Sequence, residues 1–322
     1  MNIGILGTGS IAHKMADTII RMDSNVNLYA VASRTSEKAE IFANKFGIPN
    51  YYASYEELVK DVNIDLIYVA TPHSRHFEDC MLCLENGKNV LCEKAFTANA
   101  NQAKTVISYA ENKGLFISEA IWTRFMPMRF VLDNIIESGI IGNISALTAN
   151  LGYELSHKER LQKPDLAGGA LLDLGVYTIN FAVMTFKSDI ADIKSSCIKN
   201  EFGVDITNSI IISFKDGKTA VLHSNAAAAT DRLGIIYGSK GRIEFQNINN
   251  CEGIRVIMNN GEVTEYKTPP QISGYEYEVE ESLKAIKNKK TETHFMPHTE
   301  TVRIMKIMDS LRKEWGIVYP FE

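Results

Sequence analysis

The sequence predicts an α/β fold: a doubly wound parallel-sheet domain, then an α+β domain with a large, mostly antiparallel sheet. Three observations carry this. From residue 1 to about 120, strand-like and helix-like segments alternate, and the strands are apolar along their length, as strands buried on both faces of a parallel sheet are. After about Ala120, strand-like runs follow one another across short turn signals, which pairs neighbours antiparallel. Finally, "GILGTGSIA", Gly4 to Ala12, sets glycines between an apolar strand and a helix, the context of a dinucleotide loop.

In chain order, Ile3–Leu6 reads as a buried strand and Ser10–Arg21 as a helix with apolar residues at helical spacing. Val26–Ser33 is strand-like, Glu37–Phe46 helical, Ile64–Thr71 a continuous apolar strand and Phe77–Glu85 helical. Asn89–Cys92 is a strand, Asn101–Asn112 a helix and Leu115–Ser118 a strand. This places a first domain at residues 1–120 and a second at 121–322, whose last helix is able to pack back on the first. The second begins with a helix at Pro127–Ser138, a strand at Ile144–Tyr153 and a helix at Gly168–Met184. Strands follow at Asp192–Lys199, Asn208–Phe214, Thr219–Asn225, Leu233–Gly238, Arg242–Phe245 and Ile254–Asn259, with hairpin turns at Lys215–Lys218, Gly238–Gly241 and Asn259–Gly261. Helices at Tyr275–Lys287 and Thr299–Trp315 close the chain.

Composition narrows the function. The 322 residues include 45% hydrophobic and 23% charged side chains, the proportions of an ordinary globular protein. A formal charge of −5 argues against a surface for the phosphate backbone of nucleic acid, which needs concentrated Lys and Arg. With no basic leader and no stretch read as long enough to span a bilayer, the expectation is a cytoplasmic protein without a membrane partner. Five scattered cysteines fit a reducing compartment; Cys80 and Cys83 lie on an apolar helix face without a second pair, so packing rather than metal binding is expected.

The chemistry-bearing residues lie where doubly wound sheets bind ligands, at the carboxyl ends of the strands. Gly7 and Gly9 let the backbone approach a pyrophosphate, and Ser10 and Ile11 open the helix whose free N–H groups favour an anion. The second strand ends in Ala32-Ser33-Arg34-Thr35, without the carboxylate that would bond a ribose 2′-hydroxyl. Arg34 suits a 2′-phosphate and Ser33 donates a hydrogen bond, so NADP is preferred over NAD; the alternative is a surface arginine. Thr71 and Pro72 end the third apolar strand with His73 and His76 just beyond, His76 being a further candidate for the cofactor. Glu93 and Lys94 end the next, where an ion pair at a strand end is the alternative reading. Asp173 and Tyr177, four apart on a predicted helix, share one face, as a structural or a catalytic pair. No metal site is expected.

Several of these segments in one order, "GILGTGSIA", "VATPHSRH", "VLCEKA", "GLFISEAIWTRFMP", "GGALLDLGVYTINF" and the ending "GIVYPFE", resemble the glucose–fructose oxidoreductase and inositol dehydrogenase (Gfo/Idh/MocA) family across essentially the whole length. Within it the likeness is to dimeric dihydrodiol dehydrogenases. The resemblance implies an N-terminal Rossmann domain, a C-terminal domain whose open sheet faces a substrate cleft, and a homo-oligomer, dimeric or larger. It implies that Lys94 matches the lysine of a Glu-Lys-Pro motif, and Asp173 and Tyr177 the residues of the catalytic site. Tyr177 stands where many relatives have histidine, and Ala95 replaces the usual proline, which leaves open the cis peptide such a proline suggests.

The expected reaction is reversible hydride transfer between nicotinamide and a secondary alcohol or carbonyl of a cyclic sugar, polyol or trans-dihydrodiol. Tyr177 is the expected acid/base, Lys94 the cation that favours its phenolate, and Asp173 the group that orients the pair. Trp122 and Arg124 are expected on the substrate, with core packing and a salt bridge as alternatives, and His157 and Arg160 are weaker candidates of the same kind. Phe245–Arg255 holds no aromatic after Phe245, so an aromatic-lined pocket is not implied. The competing class is a ligand-sensing protein that binds NADP without turnover.

Overall fold

A computed structural model describes residues 1–22 and 25–322. The chain runs β1 (Asn2–Leu6), α1 (Ser10–Arg21), β2 (Asn27–Ala32), α2 (Ser36–Phe46), β3 (Asn50–Tyr52), α3 (Tyr55–Val59), β4 (Leu66–Val69) and α4 (His76–Glu85). It continues through β5 (Asn89–Glu93), α5 (Ala100–Lys113), β6 (Ile117–Ala120), α6 (Pro127–Glu137), β7 (Ile144–Gly152), α7 (Glu159–Gln162) and α8 (Val176–Phe186). Strands β8 (Ile190–Lys199), β9 (Asp205–Phe214), β10 (Thr219–Asn225), β11 (Gly234–Gly238), β12 (Gly241–Gln246), β13 (Gly253–Met258) and β14 (Val263–Lys267) precede α9 (Glu276–Lys287) and α10 (His298–Trp315).

These elements form two compact units, Met1–Phe125 with Gln271–Lys306, and Met126–Pro270 with Ile307–Glu322. Residues 271–306, which the sequence assigns to the second domain, therefore cluster with the first. Their helix α9 buries Val279 and Leu283 and packs against β5.

In the first unit a six-stranded sheet runs in the order β3-β2-β1-β4-β5-β6, with every neighbouring pair parallel. Its central strands are buried throughout, as Ile3, Ile5, Leu66, Ile67, Val90 and Leu91 show, because helices cover both faces. One consequence follows for function. Parallel pairing brings the carboxyl ends of β2, β1, β4 and β5 to one edge, and strand order reverses between β1 and β4. Cys80 and Cys83 are buried free thiols on α4.

The second unit holds an eight-stranded sheet, β14-β13-β12-β11-β7-β10-β9-β8. It is antiparallel except where β10 runs parallel to β7, so the first strand after the crossover is inserted mid-sheet. The expected turns form: Phe214 N–H donates to Lys218 O at 2.9 Å between β9 and β10, and Met258 N–H to Glu262 O at 2.9 Å between β13 and β14. From Asn208 along β9 and throughout β10 burial alternates residue by residue, one face lying against the rest of the unit.

Two expectations are corrected. One helical stretch, Pro164–Phe186 at 23 residues and mean hydropathy 1.4, is long and apolar enough to cross a membrane, contrary to the sequence reading, and 94% of its most apolar window is buried inside the protein. It is a core helix, apolar all round because protein surrounds it. Its helical geometry also begins later than expected: Ala167 (φ 53°) and Gly169 (φ 121°) are not helical, and a π-helical turn, Leu171–Gly175, leads into α8.

Candidate active site

In the first unit the glycine loop joins β1 to α1. Gly7 has φ 107°, a Cβ there would stand 2.9 Å from Ala70 O, and its N–H donates to Ala32 O at 2.9 Å. Only glycine fits that crossing between strand ends. Gly9, which precedes α1, has no atom within 4 Å of where a Cβ would stand, so its backbone is open to a ligand. Ser10 and Ile11 start the helix, with His13 N–H already donating to Gly9 O.

The end of β2 lies beside this loop, where Ser33 Oγ and Thr8 Oγ1 are 3.4 Å apart. Arg34 is exposed, and no carboxylate stands at the strand end. At the end of β4, Thr71 donates its hydroxyl to Asp79 at 2.7 Å, and Pro72 is exposed ahead of a 3-10 turn, His73–Arg75. Glycine loop, anion-compatible helix start and basic strand end fit a phosphorylated dinucleotide.

His76 is built into the interior rather than turned to a ligand. It is fully buried, with Nδ1 2.8 Å from Ala95 O and Nε2 2.9 Å from Thr71 O, and burial pushes its pKa down. It ties the end of β4 to the segment after β5, and His73 Nε2 lies 3.1 Å from Lys94 O. Between these two carbonyl contacts the Lys94–Ala95 peptide is cis, so the alanine keeps the bond that a proline suggests.

Glu93 is likewise buried. Its carboxylate accepts from Tyr68 Oη and, at 3.2 Å, from Lys94 N–H. Behind it Glu278 of α9 is fully buried, neither of its oxygens has a partner among the described residues, and burial and Glu93 drive its pKa well up. Glu119 of β6 accepts from Phe96 N–H, and burial pushes its pKa to about 7 despite Arg124. Such carboxyls keep their protons when desolvated beside like charge.

Trp122 and Arg124 follow β6 in a 3-10 turn. The indole stacks on Tyr275 at 4.1 Å and 9°, and the Arg124 guanidinium donates to Glu300 at 3.1 Å. Both side chains are thus buried in the first unit's own packing, with one indole face and part of the guanidinium engaged there.

In the second unit, Asp173 lies in the π-helical turn and Tyr177 in the first turn of α8, and both are buried. Arg160 donates to both Asp173 oxygens, at 2.7 and 3.2 Å, a bidentate pair with fixed geometry. The Arg160 side chain is 44% exposed and that of Asp173 5%, so the cation reaches in from the surface. His157 is an exposed loop residue 3.3 Å from Glu154.

The start of this helix is held by residues the sequence reading did not single out. Asp205 accepts from Leu171 N–H at 2.8 Å and from Asn208 at 2.9 Å, and burial raises its pKa to about 6. Tyr319, from the ending "GIVYPFE", donates to Gly168 O at 2.9 Å. Arg312 lies over the Tyr319 ring at 4.3 Å and donates to both oxygens of Glu322. Of these, Tyr319 and Glu322 left a signal, through the resemblance of the ending.

Comparison with known proteins adds the lineage. Residues 1–120 match the family described as oxidoreductase family, NAD-binding Rossmann fold, and residues 131–244 the GFO/IDH/MocA C-terminal domain. Mouse trans-1,2-dihydrobenzene-1,2-diol dehydrogenase is 32% identical over 329 residues, covering 98% of this chain and 97% of that protein. The chain belongs to the Gfo/Idh/MocA oxidoreductase family. D-xylose 1-dehydrogenase (NADP(+)) of Hypocrea jecorina is 34% identical, covering 98% of this chain and 92% of that protein. Among solved structures, a 3-ketoreductase from Actinomadura kijaniata in complex with NADP and TDP-benzene has a TM-score of 0.88 at 22% identity, covering 97% of each chain. An aldose-aldose oxidoreductase from Caulobacter crescentus complexed with glycerol has a TM-score of 0.88 at 19% identity, covering 98% of this chain and 97% of that one. These structures share the fold.

Proposed function

We propose that this protein is an NADP-dependent dehydrogenase or reductase acting on a secondary alcohol or carbonyl of a cyclic sugar, polyol or trans-dihydrodiol. The observation that carries this reading is the construction around Tyr177: a buried phenol on a helix whose preceding turn holds Asp173 in a bidentate clamp from Arg160. The similarity to the xylose and dihydrodiol dehydrogenases supports the substrate class.

Gly7, Gly9, Ser10 and Ile11 would hold the pyrophosphate, and Ser33 and Arg34 the ribose 2′-phosphate. Thr71, Pro72 and the Glu93-Lys94 end of β5 border the same sheet edge. The cofactor, when bound, supplies hydride exchange at the nicotinamide ring. The chain's own residues handle the proton. Tyr177 takes it from the substrate hydroxyl during oxidation and returns it during reduction, and the Lys94 ammonium stabilises negative charge on the reacting oxygen. Asp173, charge-balanced by Arg160, fixes the helix turn that presents the phenol. We further assign the protein to the cytoplasm, as a homodimer or larger oligomer.

The test is nicotinamide absorbance with NADP and NAD against aldoses, inositols, cyclic dicarbonyls and a trans-dihydrodiol, in both directions. Turnover with NADP on any of them supports the reading and names the substrate class. Tight NADPH binding with no turnover on the whole panel favours the sensing protein instead.

A further inference from the structure

The segment after α10 returns to the helix that carries Asp173 and Tyr177, and each link in its path is a contact within the second unit. Arg312, in the last turn of α10, is buried. Its carbonyl accepts from Ile317 N–H at 2.9 Å, which turns the chain back. Its guanidinium lies over the Tyr319 ring at 4.3 Å and donates to the two oxygens of Glu322 at 2.9 and 2.7 Å. Glu322 in turn accepts from Tyr319 N–H at 3.1 Å. Ring and backbone of Tyr319 are thus both held from the side away from its hydroxyl.

That hydroxyl donates to Gly168 O at 2.9 Å, and Gly168 stands between the two halves of the Arg160–Asp173 pair. On its upstream side, Gly168 N–H donates to Lys163 O and Gly169 N–H to Leu161 O, both at 3.0 Å. These bonds tie the glycines to α7, the turn that carries Arg160. Downstream, the π-helical turn Leu171–Gly175 carries Asp173 and leads into the first turn of α8 with Tyr177. The position of Arg160 against Asp173 is therefore set through one short stretch of backbone, and Tyr319 fixes that stretch from outside. A two-bond clamp at 2.7 and 3.2 Å loses its alignment on a small displacement of either half.

We propose that Tyr319, braced by Arg312 and Glu322, is a positioning residue for the reaction: its hydroxyl on Gly168 O sets Arg160 against Asp173 and thereby the turn that presents Tyr177. This rests on the dehydrogenase reading above. Tyr319 carries no proton in the reaction, and its effect on turnover passes through the Arg160–Asp173 pair. Without the hydroxyl, Gly168 O loses a buried donor, and the glycine stretch shifts to recover one. Arg160 and Asp173 then move with its two ends.

The experiment is a double-mutant cycle in kcat between Tyr319→Phe and Arg160→Ala, on a substrate of the panel that turns over and well below every variant's thermal midpoint. Tyr319→Phe keeps the ring under Arg312 and should lower kcat by about ten-fold, with NADPH affinity unchanged. Arg160→Ala lowers kcat as well. The double variant should be no slower than Arg160→Ala alone, because the pair through which Tyr319 acts is already gone. Ile243→Val, in the core of β12, is the stability control: it lowers the thermal midpoint and leaves kcat unchanged. Glu322→Gln loosens Arg312 without removing the phenol and lowers kcat several-fold; cycled with Arg160→Ala in the same way, it covers a Tyr319 variant that does not fold. Losses that multiply in the double variants, or kcat unchanged in both Tyr319→Phe and Glu322→Gln, overturn the proposal and leave the dehydrogenase reading standing. A wild-type protein that turns over nothing on the panel overturns both.

Discussion

Asp173 has both carboxylate oxygens engaged by Arg160. An acceptor occupied on both oxygens is a poor proton carrier, which supports the proposal that Tyr177 rather than Asp173 carries the proton. Tyr177→Phe keeps the ring's packing and removes the hydroxyl, so turnover should fall by about 10²–10⁴-fold while NADPH affinity stays unchanged, as steady-state kinetics and cofactor titration will read. Arg160→Ala leaves the buried Asp173 charge without its clamp. Because Arg160 is half-exposed, screening limits the loss to about 1–2 kcal/mol in denaturant titration, with a parallel fall in turnover. The pairing was legible only in part: "LSHKER" brought Arg160 forward as a weak substrate candidate, and the residues between it and Asp173, 13 positions on, carry no periodicity that aims it there.

At the scale of elements, the helix bearing Asp173 and Tyr177 depends on its entry. Gly169 has φ 121°, and a Cβ there would stand 2.4 Å from an Asp205 carboxylate oxygen. Gly169→Ala should therefore cost about 1–3 kcal/mol from backbone conformation, and it displaces the carboxylate that bonds Leu171 N–H. Thermal unfolding will show the loss, and kcat should fall more than cofactor affinity. Tyr319→Phe leaves Gly168 O without its buried donor, a cost of about 1–3 kcal/mol by the same measurement. Element type was well legible where apolar spacing is strong, as in α1, β4 and β10. The strands and helices that escaped are short or polar: β3, α3 and α7 run for 3, 5 and 4 residues. Strand β14 lies at the sheet edge with mostly exposed side chains, so no apolar alternation marks it.

At the scale of the molecule, buried carboxyls set how stability responds to pH. Glu278, Glu119 and Asp205 are all raised by burial, Glu119 to about 7 and Asp205 to about 6. An acid raised in the folded state holds a proton there that the unfolded chain has released. Stability from these groups is complete below their unfolded values and is lost as pH rises through the folded ones. The share of the thermal midpoint that these three groups contribute should accordingly fall from pH 5 to pH 8, against the opposite contribution of buried His76, whose pKa is pushed down. Glu278→Gln, which keeps the shape without an ionisable proton, should raise the midpoint at pH 8 and flatten the decline; a steeper decline in the variant would contradict the assignment.

The sequence by itself determined the element types, the parallel and antiparallel character of the two sheets, the glycine loop, the basic end of β2 and the family, because each is written in local spacing or in short ordered motifs. Only the tertiary structure decided which side chains are spent on the protein itself. His76 and Glu93 turn inward, Trp122 stacks on Tyr275, Arg124 pairs with Glu300, and residues 271–306 join the first unit. The physical reason is range. Periodicity reports which face of an element is apolar, whereas the partner of a buried polar group is set by residues distant in the chain, such as Asp205 and Tyr319 at the helix entry, that only folding brings within a hydrogen bond's reach.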